Sequence, residues 1–265
     1  MFFMARRKMN INQPIAVRTF ASLSVCVLLW GCHIAVIKSA DEAAENMIQA
    51  RAYDDSGKLL AIQNHLDEAI ENFTKAIELN PNYAEAYNDR GVVWLSKGDY
   101  NCAIADYTRA LEINPKYAKA YYNRALVYRI AGKHDKAIAD FTHAININPS
   151  YASAYNNRGV IWLNANDYNK AIVDFSKAIE INPRYAKAFY NLGLGLKANG
   201  ALEPAVENFT KAIELNPTYA EALLERGYCF LQINQFAEAC QDLRRACELK
   251  FCEGLELVQE RNLCQ

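Results

Sequence analysis

The chain has 265 residues, 52% of them apolar, and a formal net charge of −1 at pH 7. It contains only 11 glycines and 7 prolines, so its composition excludes a collagen-like chain and argues against a disordered one. Its basic residues form no long stripe, which disfavours nucleic acid as a partner because such binding needs many cations to neutralise phosphates.

Residues 1–31 are predicted to form an export segment that lies outside the fold. They contain an apolar run at residues 20–30 and no acidic residue. The segment carries four cations: Arg6, Arg7, Lys8 and Arg18. Removing these four from the 29 basic residues leaves 25, against 30 acidic residues, so the rest of the chain has a net charge near −5.

The apolar run ends in Leu29-Trp30-Gly31-Cys32, which resembles a bacterial lipobox. The resemblance implies that Cys32 becomes the lipidated first residue of the mature protein. Two alternatives remain open: an uncleaved membrane helix over the 18 residues 20–37, and an ordinary cleaved signal peptide. In a bacterium we expect a membrane-anchored protein that faces the periplasm. His33 stands where an Asp would resemble an inner-membrane retention signal, so the outer membrane is favoured.

After a linker predicted at residues 32–49, the motif Asn-Pro-x-Tyr recurs every 34 residues. A fixed period of this length indicates stacked units that each pack only on their neighbours. The five prolines of the motif are Pro81, Pro115, Pro149, Pro183 and Pro217. With Ala84 as position 1 of a unit, residues 50–253 divide into six repeats: 50–83, 84–117, 118–151, 152–185, 186–219 and 220–253.

The composition of the repeat identifies its type. Position 8 is Gly or Ala, positions 20 and 27 are always Ala, and position 24 is aromatic in five repeats and Leu in the sixth. With Pro at position 32, this pattern closely resembles the tetratricopeptide repeat (TPR) over residues 50–253. The resemblance implies an all-α fold, a right-handed solenoid of about six helix-turn-helix repeats plus a C-terminal capping helix within residues 253–265.

The limits of the two helices of a repeat, A and B, follow from position 15. Only Gly and Asn occur there, the two residues that most readily adopt the left-handed conformation that closes a helix. Helix A is therefore predicted to end near position 14, and helix B to begin near position 18. The Pro at position 32 ends helix B and suits the first turn of the next helix A.

Arginine and aspartate occur together in the repeats. Position 7 is Arg in four repeats, and position 23 is Asp in the same four. We infer an Arg–Asp pair that bridges helices A and B of one repeat, with two hydrogen bonds per pair. The predicted pairs are Arg90–Asp106, Arg124–Asp140, Arg158–Asp174 and Arg226–Asp242.

In the fold that the resemblance implies, helix A lines a concave groove. Asn123, Asn157 and Asn191 share position 6 and resemble the asparagine ladder with which some TPR proteins hold an extended peptide. A carboxamide both donates and accepts hydrogen bonds, which suits a peptide group. The alternative is that these are merely solvated helix positions. Residues predicted to surround the ladder are Lys119, Tyr122, Arg129, Asn156, Asn164, Lys187, Tyr190 and Lys197.

Repeat six departs from the pattern, since Phe251 replaces the Pro and four cysteines lie within the 25 residues 240–264. In an exported chain this favours disulfides, with free buried thiols as the alternative. Cys252 and Cys264 flank the predicted capping helix and would lie about 18 Å apart, so they cannot pair with each other. The favoured pairs are Cys240–Cys264 and Cys247–Cys252. Zinc is not expected, because no C-x2-C pair is present.

No sequence motif of a hydrolase, a nucleotide-binding loop or a metalloprotease is present. The sequence therefore predicts a non-catalytic scaffold without cofactor, metal or small-molecule substrate. Its expected partners are proteins or peptides held in the groove, with the chain itself tethered at a membrane. Lys119 and Lys187 flank the ladder, which favours an acidic partner segment. The alternative is a structural oligomerisation module, in which repeat ends stack and the groove is idle.

Overall fold

A computed structural model describes residues 41–260 and residue 264, and within them all regular secondary structure is α-helical. Helix α1 spans residues 41–62. The helices that follow are α2 Leu66–Leu79, α3 Ala84–Ser96, α4 Tyr100–Ile113, α5 Ala118–Ile130, α6 His134–Ile147, α7 Ala152–Asn164, α8 Tyr168–Ile181, α9 Ala186–Ala198, α10 Leu202–Leu215, α11 Ala220–Gln232, α12 Phe236–Glu248 and α13 Glu253–Glu260. Residues 41–49, assigned by the sequence to a linker, are thus helical and extend helix A of the first repeat.

The helices form a linear stack of hairpins. Each A helix packs against the B helix of its own repeat, and each B helix packs against the next A helix. Helix A covers positions 1–13 and helix B begins at position 17, one residue before the predicted limits. The predicted all-α solenoid of paired helices is therefore confirmed.

The turn inside each repeat is closed by a residue with left-handed backbone. Position 15 has a φ of 60–83° in all six repeats, at Asn64, Gly98, Gly132, Asn166, Gly200 and Asn234. In the second repeat this turn lets the amide of Asp99 donate to the carbonyl of Trp94 at 2.9 Å. Only Gly and Asn adopt this conformation at little steric cost, which explains their restriction to the position.

The turn between repeats depends on the Asn that precedes the Pro. In the second repeat the side-chain oxygen of Asn114 accepts a hydrogen bond from the amide of Lys116 at 3.1 Å, across Pro115. The amide of Tyr117 donates to the carbonyl of Asn114 at 3.1 Å. The same side-chain bond recurs at Asn80, Asn148, Asn182 and Asn216. The recurring motif is therefore the structural link between units.

Small residues at position 8 allow the two helices of a repeat to touch. A Cβ added at Gly193 would lie 2.6 Å from the ring of Phe209, which sits at position 24 of the same repeat. Phe209 is fully buried. In the first repeat the corresponding ring of Phe73 also packs against Val93 of the next repeat. The aromatic residue therefore fills the space within a repeat as well as between repeats.

The predicted Arg–Asp pair is present in all four repeats that carry it. In repeat three, Nε of Arg124 donates to Oδ2 of Asp140 at 2.7 Å and Nη2 donates to Oδ1 at 2.9 Å. Asp140 is buried, with 5% of its surface exposed. The geometry is the same for Arg90, Arg158 and Arg226. Because Nε and Nη2 of each arginine already donate to a carboxylate, these arginines do not form a row of free anion-binding groups.

Each of these arginines also reaches the preceding repeat. Nη1 of Arg124 donates to the hydroxyl of Thr108 at 3.0 Å, on the B helix of repeat two. The equivalent acceptors for the other three arginines are Thr74, Thr142 and Thr210. Repeat five has Leu192 in place of the Arg, and the preceding repeat has Ser176 in place of the Thr. The arginine thus joins three helices, a contact that the pairing of Arg with Asp did not reveal.

The C-terminal end of the stack is covered by α13. Lys250 adopts a φ of 77° where the other repeats have Asn in extended backbone, so the chain turns back instead of starting a seventh repeat. Sγ of Cys240 is bonded to Cys264, and Sγ of Cys247 to Cys252, with Cα–Cα distances of 5.7 and 4.0 Å. These are the two pairings that the sequence favours. Closing the longer loop contributes about 3 kcal/mol in the chain-entropy description.

Candidate peptide-binding groove

The curvature of the stack identifies its inner side. The A helices of successive repeats touch each other, from α3 to α5, α7, α9 and α11, whereas no two successive B helices touch among the described elements. Closer spacing on one side of a stack bends it toward that side. The A helices therefore line the concave surface, as the sequence predicts for the groove.

The three ladder asparagines bond to the preceding A helix. Nδ2 of Asn123 donates to Oδ1 of Asn88 at 2.9 Å, and Nδ2 of Asn191 donates to Oδ1 of Asn156 at 2.8 Å. Nδ2 of Asn157 donates to the hydroxyl of Tyr122 at 3.2 Å. Each bond joins position 6 of one repeat to position 5 of the repeat before it. The ladder is thus a seam that holds neighbouring A helices together.

The seam leaves acceptors for a partner but few donors. Within the described residues, the side-chain oxygens of Asn123, Asn157 and Asn191 accept no hydrogen bond. Asn156 is 1% exposed and its oxygen is already occupied by Asn191, so it supports the groove from beneath. Asn157 is half-buried, whereas only 8% of Asn123 and 6% of Asn191 is exposed, so the carbonyl oxygen of Asn157 is the most accessible acceptor for the N–H groups of an extended segment.

Tyrosines alternate with the amide pairs along the groove. Position 5 is Asn88, Tyr122, Asn156 and Tyr190 in four successive repeats. The Tyr122 ring stacks on Tyr151 at a centroid distance of 4.7 Å, and the Tyr190 ring packs on Tyr219 at 4.9 Å. Burial raises the pKa of both Tyr122 and Tyr190, so their hydroxyls stay protonated at neutral pH. The inner wall thus repeats every two units as an amide pair followed by an aromatic pair.

Cations lie in the middle of the groove. Lys187 is exposed and makes no ion pair with the described residues. Lys119 is also exposed, with Nζ 3.7 Å from Oδ1 of Asp89. Arg129 lies beside Tyr122, and its Nε is buried without a hydrogen-bond partner within the described residues. A carboxylate would complement these groups.

The two ends of the groove are acidic and internally paired. At the N-terminal end, Asp54 is fully buried and accepts from Nζ of Lys58 at 2.5 Å and from the hydroxyl of Tyr83 at 3.2 Å. Burial raises the pKa of Asp54, against the lowering by Lys58. At the C-terminal end, Nζ of Lys197 lies 2.6 Å from Oε2 of Glu225. Lys197 is therefore already paired, in contrast to Lys187.

Other expectations from the sequence fall partly outside the structure. Cys32 and the apolar segment 20–37 lie outside the described residues. Among residues 41–260, no helix is both long and apolar enough to cross a membrane. No group of three or more candidate metal ligands occurs in that part of the chain or at Cys264.

Family models place the chain among known proteins. Tetratricopeptide-repeat models match residues 118–151, 152–185, 186–219 and 208–241, and a TPR-repeat model matches residues 57–95 and 93–129. These matches together span residues 57–241, well over half of the chain. The chain belongs to the tetratricopeptide-repeat family. Three of the matches coincide with the TPR units at 118–151, 152–185 and 186–219.

Several solved structures resemble this chain over most of its length. MamA is 27% identical, with a TM-score of 0.57, over 65% of this chain and 94% of that one. YrrB, described as a TPR protein with an unusual peptide-binding site, is 25% identical with a TM-score of 0.61, over 71% of this chain and 97% of that one. PilF of Pseudomonas aeruginosa is 17% identical over 82% of this chain and 99% of that one, and its TM-score of 0.72 shows the fold alone. No curated protein matches the chain. The TPR fold is that of a scaffold for protein–protein interaction.

Proposed function

We propose that this protein is a non-catalytic adaptor that holds an extended, acidic segment of a partner protein in its concave groove while tethered at a membrane. The observation that carries the proposal is the inner wall itself, where unoccupied amide oxygens alternate with packed tyrosines beside the cations Lys119, Arg129 and Lys187. Tyr122 and Tyr190 are half-buried, and Tyr and Arg are among the residue types enriched in the cores of protein–protein interfaces. The peptide-binding site in the name of YrrB supports the same reading.

The spacing of the repeats sets the length of the segment. Neighbouring helices pack about 10 Å apart, and an extended chain advances about 3.3 Å per residue. Each repeat then corresponds to about three residues of the partner, and the stretch from Asn123 to Asn191 to about six. The proposal is therefore a short linear segment whose amides meet the ladder oxygens and whose carboxylates meet the lysines.

The groove proposal is tested by site-specific photo-crosslinking in intact cells. A photoreactive residue at Lys187 in the groove should give an adduct with a partner protein, whereas one at Lys211 should not. Lys211 is the matched control because it is exposed but lies on helix B of the same repeat, away from the groove. An adduct formed only from Lys211 would move the interaction to the convex surface.

The tether is proposed to be a lipid on Cys32, with the repeats facing the periplasm from the outer membrane. Metabolic labelling with a fatty acid should mark the wild-type protein and fail to mark Cys32→Ala. A mature N-terminus at another residue, or persistence of residues 1–31, would contradict lipidation and favour an anchor helix or an ordinary signal peptide.

The proposal assigns no catalysis to the chain. Of the histidines within the described residues, His65 lies in the turn before α2, whereas His134 and His143 both lie on α6, and the three share no partner. No acid, base and nucleophile converge among the groove residues described above. Protein or peptide is therefore the proposed ligand, in preference to a small-molecule substrate or nucleic acid.

A further inference from the structure

The N-terminal face of the stack is formed by α1 and the edge of α2. It is equivalent to the surface with which each later repeat packs on the repeat before it, but in repeat one this surface is exposed. Position 3 is Ala in all six repeats, and the five alanines from Ala86 to Ala222 are 0% exposed, whereas Ala52 is exposed. Position 10 is Val93, 3% exposed, in repeat two and Leu59, 62% exposed, in repeat one. Within the described residues nothing covers this face.

The internal interfaces show what such a face accepts. Val93 packs against Phe73 and Ala69 of the preceding repeat, and Ala86 packs against Ala76 and Ile77. The covering surface is thus a helix that presents apolar side chains in a strip. On α1 the exposed apolar residues form a strip of their own: Ile48 at 69%, Leu59 at 62% and Ile62 at 83% exposure, with Ala52 between them.

Repeat one also lacks the arginine contact that crosses four of the five interfaces between repeats. Ser56 stands where four repeats have the Arg that reaches back to the preceding repeat, and Asn72 stands in place of its Asp. These smaller side chains leave a hollow lined by Gln49, Ala52, Tyr53, Ser56 and Asn72. Leu59 projects from the same helix, seven residues after Ala52, which is about two turns along.

The hollow beside Ser56 and the projecting side chain of Leu59 make this face self-complementary. Two α1 helices that cross antiparallel about a two-fold axis near Ser56 bring Leu59 of each copy over Ala52 of the other. An isologous contact of this kind closes as a dimer. Head-to-tail stacking is blocked, because α13 covers the other end: Val258 is fully buried and a Cβ on Gly254 would lie 2.5 Å from Leu243.

We propose that the N-terminal face formed by α1 binds the same face of a second copy of this chain, giving a two-fold dimer whose grooves remain open. The proposal does not rest on peptide binding in the groove. A strip along one helix is smaller than the roughly 800 Å² per partner of a typical stable interface. The dimer is therefore weak and depends on concentration.

The test is sedimentation velocity of the full-length chain in detergent over a concentration series. The series reaches about 100 µM, far above the dissociation constants of typical specific complexes. Wild type should dimerise. Leu59→Lys should weaken dimerisation by at least about 100-fold, because two leucines leave the interface at once. Val173→Lys is the matched control, since Val173 is 68% exposed on α8, and it should dimerise as wild type does.

Ser56→Cys tests the two-fold axis independently. A short thiol crosslinker should join two copies of this variant in high yield and leave wild type, with its own cysteines, uncrosslinked. A wild type that stays monomeric throughout the series overturns the proposal. So does a dimer that Leu59→Lys leaves intact, or a Ser56→Cys variant that dimerises without crosslinking.

Discussion

Asp140→Ala is expected to lower the free energy of unfolding by about 3 kcal/mol, the lower end of the range for breaking a buried ion pair. Asp140 is 5% exposed and holds two N–H groups of Arg124. Its removal leaves an Arg124 side chain that is only 17% exposed, with Thr108 as its remaining hydrogen-bond partner. The loss comes from an uncompensated charge, so it exceeds that of a surface pair. Chemical denaturation followed by circular dichroism measures it.

The chain supplies its own rescue variant. Repeat five has Leu192 and Asn208 where repeat three has Arg124 and Asp140, so Arg124→Leu with Asp140→Asn copies a natural combination. Because no charge is left unpaired, the double variant should lose only about 1 kcal/mol. Asp135→Ala, an exposed acid on the same helix, should lose about 0.5 kcal/mol. A double variant as unstable as Asp140→Ala would contradict the assignment of the loss to the buried charge.

The period and the turns could be predicted from the sequence because local stereochemistry determines them. A left-handed residue closes every A–B turn, and Gly and Asn adopt this conformation at the lowest steric cost. Their occurrence at position 15 therefore marks each turn. Lys250, in the turn between α12 and α13, is also left-handed, with a φ of 77°. Nothing in its residue type indicates this conformation, which occurs where the chain leaves the repeat pattern to form α13.

The contacts between repeats were harder to predict, since they join residues from three helices. The Arg–Asp pair was inferable because both residues vary together within one repeat. The Thr that accepts a hydrogen bond from the same Arg belongs to the preceding repeat, so variation within one repeat does not reveal it. The sequence contains one weak indication of this contact: where repeat five has Leu192 instead of the Arg, repeat four has Ser176 instead of the Thr. The ladder asparagines were recognised by position, yet their bonds to position 5 of the previous repeat depend on the packing of the A helices.

This double role of the asparagines decides how the groove must be tested. Replacing Asn123 or Asn191 by Ala would remove a bond between A helices as well as an acceptor for the partner. Stability and binding would then change together. Lys119 and Lys187 are exposed and can be altered with less effect on packing.

Reversing the charge of both lysines is expected to weaken binding of an acidic partner segment by about 5- to 1000-fold. An exposed ion pair contributes about 0.2–1 kcal/mol, and reversal replaces each attraction by a repulsion of similar size. Two reversals then cost about 1–4 kcal/mol, at 1.4 kcal/mol per tenfold change in affinity. The loss should shrink as salt is added, because screening weakens attraction and repulsion alike.

The most direct test of the groove as the binding surface is a calorimetric titration of the crosslinked partner's segment against two variants of equal charge. Lys119→Glu with Lys187→Glu alters the groove, whereas Lys177→Glu with Lys211→Glu makes the same change on the B helices. There the side chains of Lys177 and Lys211 are 40% and 51% exposed, beside Glu180 and Glu214. The first variant should bind about 5- to 1000-fold more weakly than wild type and the second within about twofold of it. Equal weakening by both variants would show that the effect is one of net charge, and unchanged binding by the first would contradict the groove as the binding surface.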